Sequence, residues 1–420
     1  MRLIAYKYRM YPNAAQKEYF RVNFDAVRFT WNKLLEAAMT SWKESGKFCI
    51  PYPSSLKTTH IWLKEADSLA LANVQIFLKA SWIRFCKMEK HWYRPSAKKK
   101  AQRQNRELAE YDLDGHPKFK SRKDTRRQSY TTNNQYGTVA IIDSHVRLPK
   151  IGLVRCKFHR QALEGALVKS ATVSMTACGE YYVSILMEKP WDVDPVSPST
   201  FLGLDFSMGE LYVDHNGDSP DYPKWYRKTE KKLAREQRRL NLMQKESKNY
   251  LKQRDKIAVI HEKIACQRKD FLHKHSASIA KKHDAVCMET LNMADMAQAL
   301  NFGKSVMDAG WGMFSRFLTY KQQWRGHHVI RIGKWFPSTK LCSVCGMRGE
   351  VKLGQRQWIC GACGTSHARD HNAAVNIRNE GMRLFFENFE STAGQRGKSP
   401  FMLDPVIIER EAPTSTPCWA

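Results

Sequence analysis

Three acidic residues sit where acids are costly to place. Asp205 lies in the middle of an apolar strand-like run, after Gly203-Leu204. Glu289 closes a second such run, Ala285-Val286-Cys287-Met288. Asp370 opens the helical segment RDHNAAVNI, in which Ala373, Ala374 and Ile377 make a stripe suited to burial. A carboxylate at a strand centre is expensive to bury unless a cation or hydrogen bonds meet it. Taken singly, each of the three reads equally well as a satisfied structural acid. Taken together they can do phosphodiester chemistry. Two adjacent strands and a nearby helix can present three carboxylates to two divalent ions ~4 Å apart, one helping to generate the attacking hydroxide and the other stabilising the leaving 3′ oxygen. Hard oxygen ligands suit magnesium or manganese.

A second constellation precedes the third acid. Of eleven cysteines, four read C-x2-C-x14-C-x2-C: Cys342, Cys345, Cys360 and Cys363, each pair followed by glycine, Gly346 and Gly364. Two such knuckles bring four thiolates into a tetrahedron, with the glycines letting the backbone turn around the ion. Four thiolates leave no open position, so one zinc here is structural and does no chemistry. The alternatives are four reduced thiols or two disulfides. The other seven cysteines are scattered, as small buried hydrophobes are in an intracellular chain.

The elements that must position these residues follow from periodicity. Residues 3 to 10 alternate loosely and read as a strand. Pro12-Asn13 then opens a helix whose Phe20, Phe24, Val27, Trp31 and Leu34 fall on one face. A second helix is expected over about 66 to 94, with Leu71, Val74, Leu78, Trp82 and Phe85 on its apolar face, ending in the aromatic-basic cluster His91-Trp92-Tyr93-Arg94. From 129 to 190, short alternating segments (Val139 to Ile142, Val154 to Phe158, Ala171 to Met175, Tyr181 to Met187) between Gly, Asp and Asn turns predict a small β domain. Pro190, Pro195 and Pro198 mark a linker. The run FLGLDFSMGELYVDHNG then predicts a β-hairpin turning at Asn216-Gly217. Residues 224 to 274 read as a helical hairpin with its turn at 245 to 249. That stretch holds 17 Lys/Arg against 6 Asp/Glu, a net +11, with an apolar stripe of Leu233, Leu240, Ile257, Ile260, Ile264 and Phe271. The stripe packs on a core. The polar face is too one-sided in sign for simple solvation and predicts a nucleic-acid contact through Lys231, Lys232, Arg235, Arg238 and Arg239.

Composition sets the outer bounds. A chain of 420 residues is too long for one ordinary core. Its 69 Lys+Arg against 41 Asp+Glu give a formal +28, a self-repulsion that a nucleic acid would neutralise. No window approaches the ~18 apolar residues of a membrane span. The start, MRLIAYKYRMYP, lacks a signal-peptide core. A soluble cytoplasmic protein, nucleoid-associated in a prokaryote and without membrane contact, is expected.

Several segments together resemble TnpB, the OrfB-type proteins of bacterial insertion sequences and small relatives of the type V CRISPR effectors. They are YKYRMYPNAAQKEYF, HPKFKSRKD, LPKIGLVRCKFHR, GLDFSMG, RKTEKKLAREQRRL, HEKIACQRKDFLHKHS, VCMETLNMADM and KWFPSTKLCSVCG with WICGACGTSHARDHNAAVNI. The likeness covers roughly residues 3 to 386, is weakest over 36 to 115 and is absent from the tail. One departure is DFSMGELY, where Asp-Leu-Gly is commoner; the acid itself is kept. The resemblance implies a multidomain α/β plus β architecture. A wedge-like, β-barrel-like domain (1–35 and 116–190) would be interrupted by a helical recognition domain (36–115). An RNase H-like RuvC nuclease domain (199–336 and 367–386) would hold an inserted four-cysteine zinc ribbon (337–366) that binds target nucleic acid. Independently of the resemblance, the stretch after about residue 388, with Gly394, Gly397, Pro400, Pro413 and Pro417 and little periodicity, is expected to be a disordered tail over 387–420.

The same resemblance implies an RNA-guided DNA endonuclease. It would act as a monomer with one transposon-end RNA, cut both strands of duplex DNA beside a short transposon-associated motif, and use Asp205, Glu289 and Asp370 with two magnesium ions. Base pairing would carry sequence choice while the protein reads shape, charge and a short duplex. Asn73, Gln75 and Lys79 are the candidates for reading that motif. The rival readings are a compact type V CRISPR effector, a nuclease-inactive RNA-guided DNA-binding repressor, and a DNA transposase, which also uses carboxylates on an RNase H fold.

Overall fold

The computed structural model describes residues 2–392 apart from 89–91, 94, 123–127, 162, 191–192, 294–295, 297–302, 304–307 and 353. His91 and Arg94 of the aromatic-basic cluster, and most of the expected tail, lie outside the described residues. The chain divides into two compact units, with the boundary after Pro190.

The first unit begins with strand β1 (Arg2–Met10). Asn13 then caps helix α1 (Ala14–Ser45) in a reciprocal box, its side chain accepting from the Gln16 amide while Gln16 accepts from the Asn13 amide. All five residues of the expected apolar face are buried. Gly46, at φ 63°, ends the helix in the left-handed region where glycine has no Cβ penalty. Helices α2 (Leu56–Thr59), α3 (Ser68–Cys86) and α4 (Pro95–Arg103) follow. Six strands complete the unit: β2 (Gln128–Asn133), β3 (Ala140–Ile142), β4 (His145–Leu148), β5 (Gly152–Lys157), β6 (Leu167–Met175) and β7 (Tyr181–Lys189). The sheet runs β2-β6-β7-β1-β5-β4-β3 with antiparallel pairings, so its edges are β2 and β3 and it is open rather than closed as a barrel.

α1 passes unbroken through residue 35, and one core joins Phe24 and Leu34 of α1, Leu71 and Trp82 of α3, and Tyr130 and Val183 of the sheet. The helices and the sheet of this unit therefore share one hydrophobic core. The expected motif reader Asn73 belongs to that unit. It is 4% exposed and its amide donates to the Thr131 carbonyl at 2.9 Å. Its amide nitrogen is thus committed inside the unit. Gln75 reaches the Pro51 carbonyl at 3.4 Å, and Lys79 is exposed.

The second unit is built on a four-stranded sheet in the order β11-β10-β8-β9. β8 (Phe201–Ser207), β10 (Ala285–Glu289) and β11 (His328–Ile332) are parallel, and β9 (Leu211–Asp214) returns antiparallel to β8. The hairpin turns at residues 208–210, not at Asn216-Gly217. Met208-Gly209 supplies the reversal, whereas Asp214 already ends β9 by accepting from the Asn216 and Asp218 amides. Helices α5 (Trp225–Asn241) and α6 (Lys248–Lys282) form the predicted basic hairpin. Ser247 caps α6 by accepting from the Tyr250 amide, and Leu233, Ile257, Ile260 and Ile264 hold the two helices together. Helix α7 (Trp311–Gln323) and α6 cover one face of the sheet, burying Leu202, Leu204, Val286 and Met288.

The opposite face carries helix α8 (Arg369–Thr392), which continues six residues into the expected tail. It follows the short ribbon strands β12 (Gln357–Ile359) and β13 (Ser366–Ala368). Two glycines let α8 lie almost in backbone contact with the sheet. A Cβ at Gly203 would fall 2.2 Å from the Ala374 carbonyl, and one at Gly381 would fall 2.2 Å from Cys287 Sγ. The first obstacle is backbone and cannot rotate away. Gly203→Ala should therefore cost ~1–3 kcal/mol or more in denaturant unfolding. Gly209→Ala, with nothing nearer than 3.9 Å, serves as the control that should not. Equal stabilities would mean that α8 is not seated as described.

Candidate active site

Strand register brings the first two acids together. Met288 pairs with Leu204, so the next residues, Glu289 and Asp205, project from neighbouring parallel strands on the face that α8 covers. Asp205 is 6% exposed. Burial, then the charges of Glu289 and Asp370, push its carboxyl well above the ordinary aspartate value, while the Arg369 guanidinium opposes the shift. Burial likewise raises Glu289, against the hydrogen bond from Ser338. Asp370 stands at the first turn of α8, where its carboxylate accepts from Arg369 Nε at 2.8 Å. The charges of Glu289 and Asp370 thus both act on Asp205, although the three acids stand 84 and 81 residues apart in the chain. Their hard oxygen donors are of the kind that could hold magnesium or manganese.

The chain's own positioning groups were not foreseen from sequence. Ser338 Oγ donates to Glu289 Oε1 at 2.6 Å, and its carbonyl accepts from Asn376 Nδ2 at 2.8 Å. Asn372 and Asn376 both donate to the Leu341 carbonyl at 2.7 Å, and Asn372 accepts from the Ser343 amide. The signal was present: two asparagines four apart in NAAVN lie on one helical face. Through them α8 holds at once the segment that orients Glu289 and the first cysteine knuckle.

The four cysteine sulfurs lie within 4.8 Å of one another, with Cys342–Cys363 and Cys345–Cys360 at 3.6 Å. A disulfide would need ~2.05 Å. Thiolates ~2.3 Å from a tetrahedral zinc stand ~3.8 Å apart, so this set fits zinc and leaves no open ligand position. The knuckles repeat one geometry: the Gly346 amide donates to the Cys342 carbonyl and the Gly364 amide to the Cys360 carbonyl, both at 2.9 Å, with both glycines at φ 73°. The Thr365 hydroxyl beside Cys363 lowers that thiol to about 6, favouring the thiolate. Buried His367 places Nε2 3.1 Å from Cys342 Sγ, a contact that sequence reading missed because CGTSHARD gives no spacing cue for it.

On the basic hairpin, Lys231, Lys232, Arg235, Arg238 and Arg239 are all exposed. Glu236 beneath them is 1% exposed. Hydrogen bonding from Gln253, then Lys256 and Arg239, hold its carboxyl down at about 2. This acid fixes the hairpin's rows of cations without cancelling their excess. Neutralising the five surface cations together should weaken nucleic-acid binding and flatten its salt dependence, each lost phosphate contact removing ~0.7–0.9 from the log–log slope. An unchanged slope would leave the helix merely solvated.

Residues 184–300 match the OrfB_IS605 family model, described as "Probable transposase"; 311–377 match a Cas12f1-like TNB domain. A protein of Streptomyces pristinaespiralis designated an RNA-guided DNA endonuclease is 30% identical over 386 residues, covering 90% of this chain and 89% of that one. The chain belongs to the OrfB, or TnpB, family. An Escherichia coli member with the same designation is 29% identical over 401 residues, covering 90% of this chain and 92% of that one. Among solved structures, a Cas12f1–sgRNA–target DNA complex shares the fold at TM-score 0.54 and 14% identity, over 88% of this chain and 83% of that one. Residues 1–47 also match a model described as a helix-turn-helix domain. Here they form β1 and one continuous 32-residue helix, so that family label does not describe the local structure. Among the described residues no helix is long and apolar enough to cross a membrane.

Proposed function

We propose that the protein is an RNA-guided DNA endonuclease. The observation that carries this reading is the gathering of Asp205, Glu289 and Asp370 on one face of a parallel sheet. Two magnesium ions held by those carboxylates would activate the attacking water and stabilise the departing 3′ oxygen. The residues around them set up that chemistry. Ser338 fixes one Glu289 oxygen, which aims the other. Arg369 keeps a positive charge beside Asp370, where a phosphate can also reach it. Gly203 lets α8 approach closely enough for Asp370 to complete the set. The net +28 suits a protein that holds RNA and DNA together.

Both full-length relatives named above carry the endonuclease designation, and the comparison structure contains a guide RNA and target DNA. On this reading the guide is an RNA from a transposon end, one per monomer. The target is duplex DNA beside a short fixed motif, and the ribbon helps bind the target. The family description "Probable transposase" supports a second reading, strand transfer by the same acids.

Purifying the protein from cells, sequencing its co-purifying RNA and supplying plasmids that match the RNA's terminal segment tests the proposal. Magnesium-dependent double-strand cuts confined to matched plasmids are expected. Cuts independent of RNA, or joining of donor ends to target in a strand-transfer assay, would overturn it.

A further inference from the structure

The segment between β11 and the ribbon is a short turn with both ends fastened beside the carboxylates. At one end the Thr290 hydroxyl, next to Glu289, donates to the Ile332 carbonyl at 2.9 Å. At the other, Ser338 donates to Glu289 itself at 2.6 Å. Between them the Phe336 amide closes on the Gly333 carbonyl at 3.1 Å, and the Phe336 ring packs against the core of Ala285, Cys287, Ile330 and Ile332. The turn is thus braced from inside and at both ends. Its tip nevertheless presents Trp335 at 86% exposure, with Lys334 Nζ 4.9 Å from the ring centroid. Leaving so large an apolar ring in water, on a turn held this firmly, forgoes burial free energy that an unbraced tip could recover by folding back.

We propose that Trp335 is a nucleobase platform for the strand being cut, stacking on a base beside the scissile phosphate while Lys334 meets the neighbouring phosphate. The inference rests on the nuclease reading of Asp205, Glu289 and Asp370 and adds a substrate contact to it. An exposed indole accepts any base on its π-face, and an adjacent cation follows the backbone, which together make a sequence-tolerant grip on single-stranded nucleic acid. Sequence tolerance suits a site whose target is chosen elsewhere by pairing. Because the turn is tethered to Glu289, a strand stacked on the ring is registered against the residues that cut it.

The test uses the full-length protein with its co-purified RNA and compares Trp335→Ala with Trp335→Phe. The alanine variant should slow single-turnover cutting roughly 5- to 150-fold, the range spanned by loss of one base–aromatic stack. The phenylalanine variant should recover most of the rate. Guided DNA affinity, zinc content and melting temperature should stay at wild-type values in both. A second measurement does not need cutting. In an Asp205→Ala background, single-stranded DNA carrying 2-aminopurine should be quenched on binding when Trp335 is present and not when it is alanine. Wild-type cutting by Trp335→Ala, or slowed cutting that phenylalanine does not rescue with quenching unchanged, would overturn the platform. If Asp205→Ala itself still cuts, the nuclease assignment falls, and the quenching comparison decides the fate of Trp335 separately.

Discussion

Replacing Asp370 with alanine should abolish guided cutting of both DNA strands while RNA binding and guided DNA binding persist. Binding survives because pairing and basic surface supply it. Asp370 is the sharpest of the three acids to test, because an acid in the first turn of a helix is easily mistaken for a cap. Its carboxylate accepts from the Arg369 guanidinium, however, not from an amide of that turn. A cap would cost about 1 kcal/mol and leave cutting largely intact. A metal ligand leaves stability near wild type and takes cutting below detection. Guided binding and plasmid cutting measured on one preparation separate the two, and retained cutting would overturn the site.

Asp205 gives the companion result in the metal-free protein. Burial and its two acidic neighbours raise its carboxyl well above the unfolded value near ~3.9. A raised folded-state value means that stability is present below the unfolded value and is lost as pH climbs through the folded one. In chelator at neutral pH, Asp205→Asn should therefore melt higher than wild type, by ~2–4 °C for each kcal/mol relieved. Magnesium should narrow the gap by stabilising only the wild-type set. A lower melting temperature in chelator would mean that Asp205 is paired in a way the site does not include.

The second large effect belongs to zinc. One ion per chain is expected, and Cys360→Ser should lower folded yield rather than only the cutting rate. A ribbon with one small core of Cys342, Trp358 and Cys360 has little else to fold on, and a structural zinc supplies ~10 kcal/mol or more. The damage should spread, because Asn372 and Asn376 tie the knuckle's Leu341 carbonyl to the helix that carries Asp370. Metal analysis finding no zinc in active, well-folded protein would sink this account.

Much of this arrangement was legible in the residues because it is local. The cysteine spacing, the strand settings of Asp205 and Glu289, the helix start at Asp370, the face of α1 and the basic hairpin are all written within windows of a few to thirty residues. The failures are non-local. Asn73 looked like a free polar side chain because nothing near it announces the Thr131 carbonyl, 58 residues on. That α1 and α3 share a core with strands far along the chain is likewise invisible to any local window. Ser338 and His367 acquire their roles only when the turn after β11 and the ribbon fold against partners 49 and 25 residues away. Asn216-Gly217 misled for the opposite reason, since its strong local turn signal sits just past the strand that Met208-Gly209 had already reversed.

The seating of α8 against β8 also orders events during synthesis. The ribosome makes the first unit's sheet, the basic hairpin, β8 and β10 first, and the helix that carries Asp370 follows the final cysteine pair. A nascent chain halted before Arg369 carries Asp205 and Glu289 but neither the third carboxylate nor the helix that covers their face of the sheet. On the nuclease reading proposed above, translational arrest or a premature stop in that interval would leave a polypeptide one acid short of its cutting site.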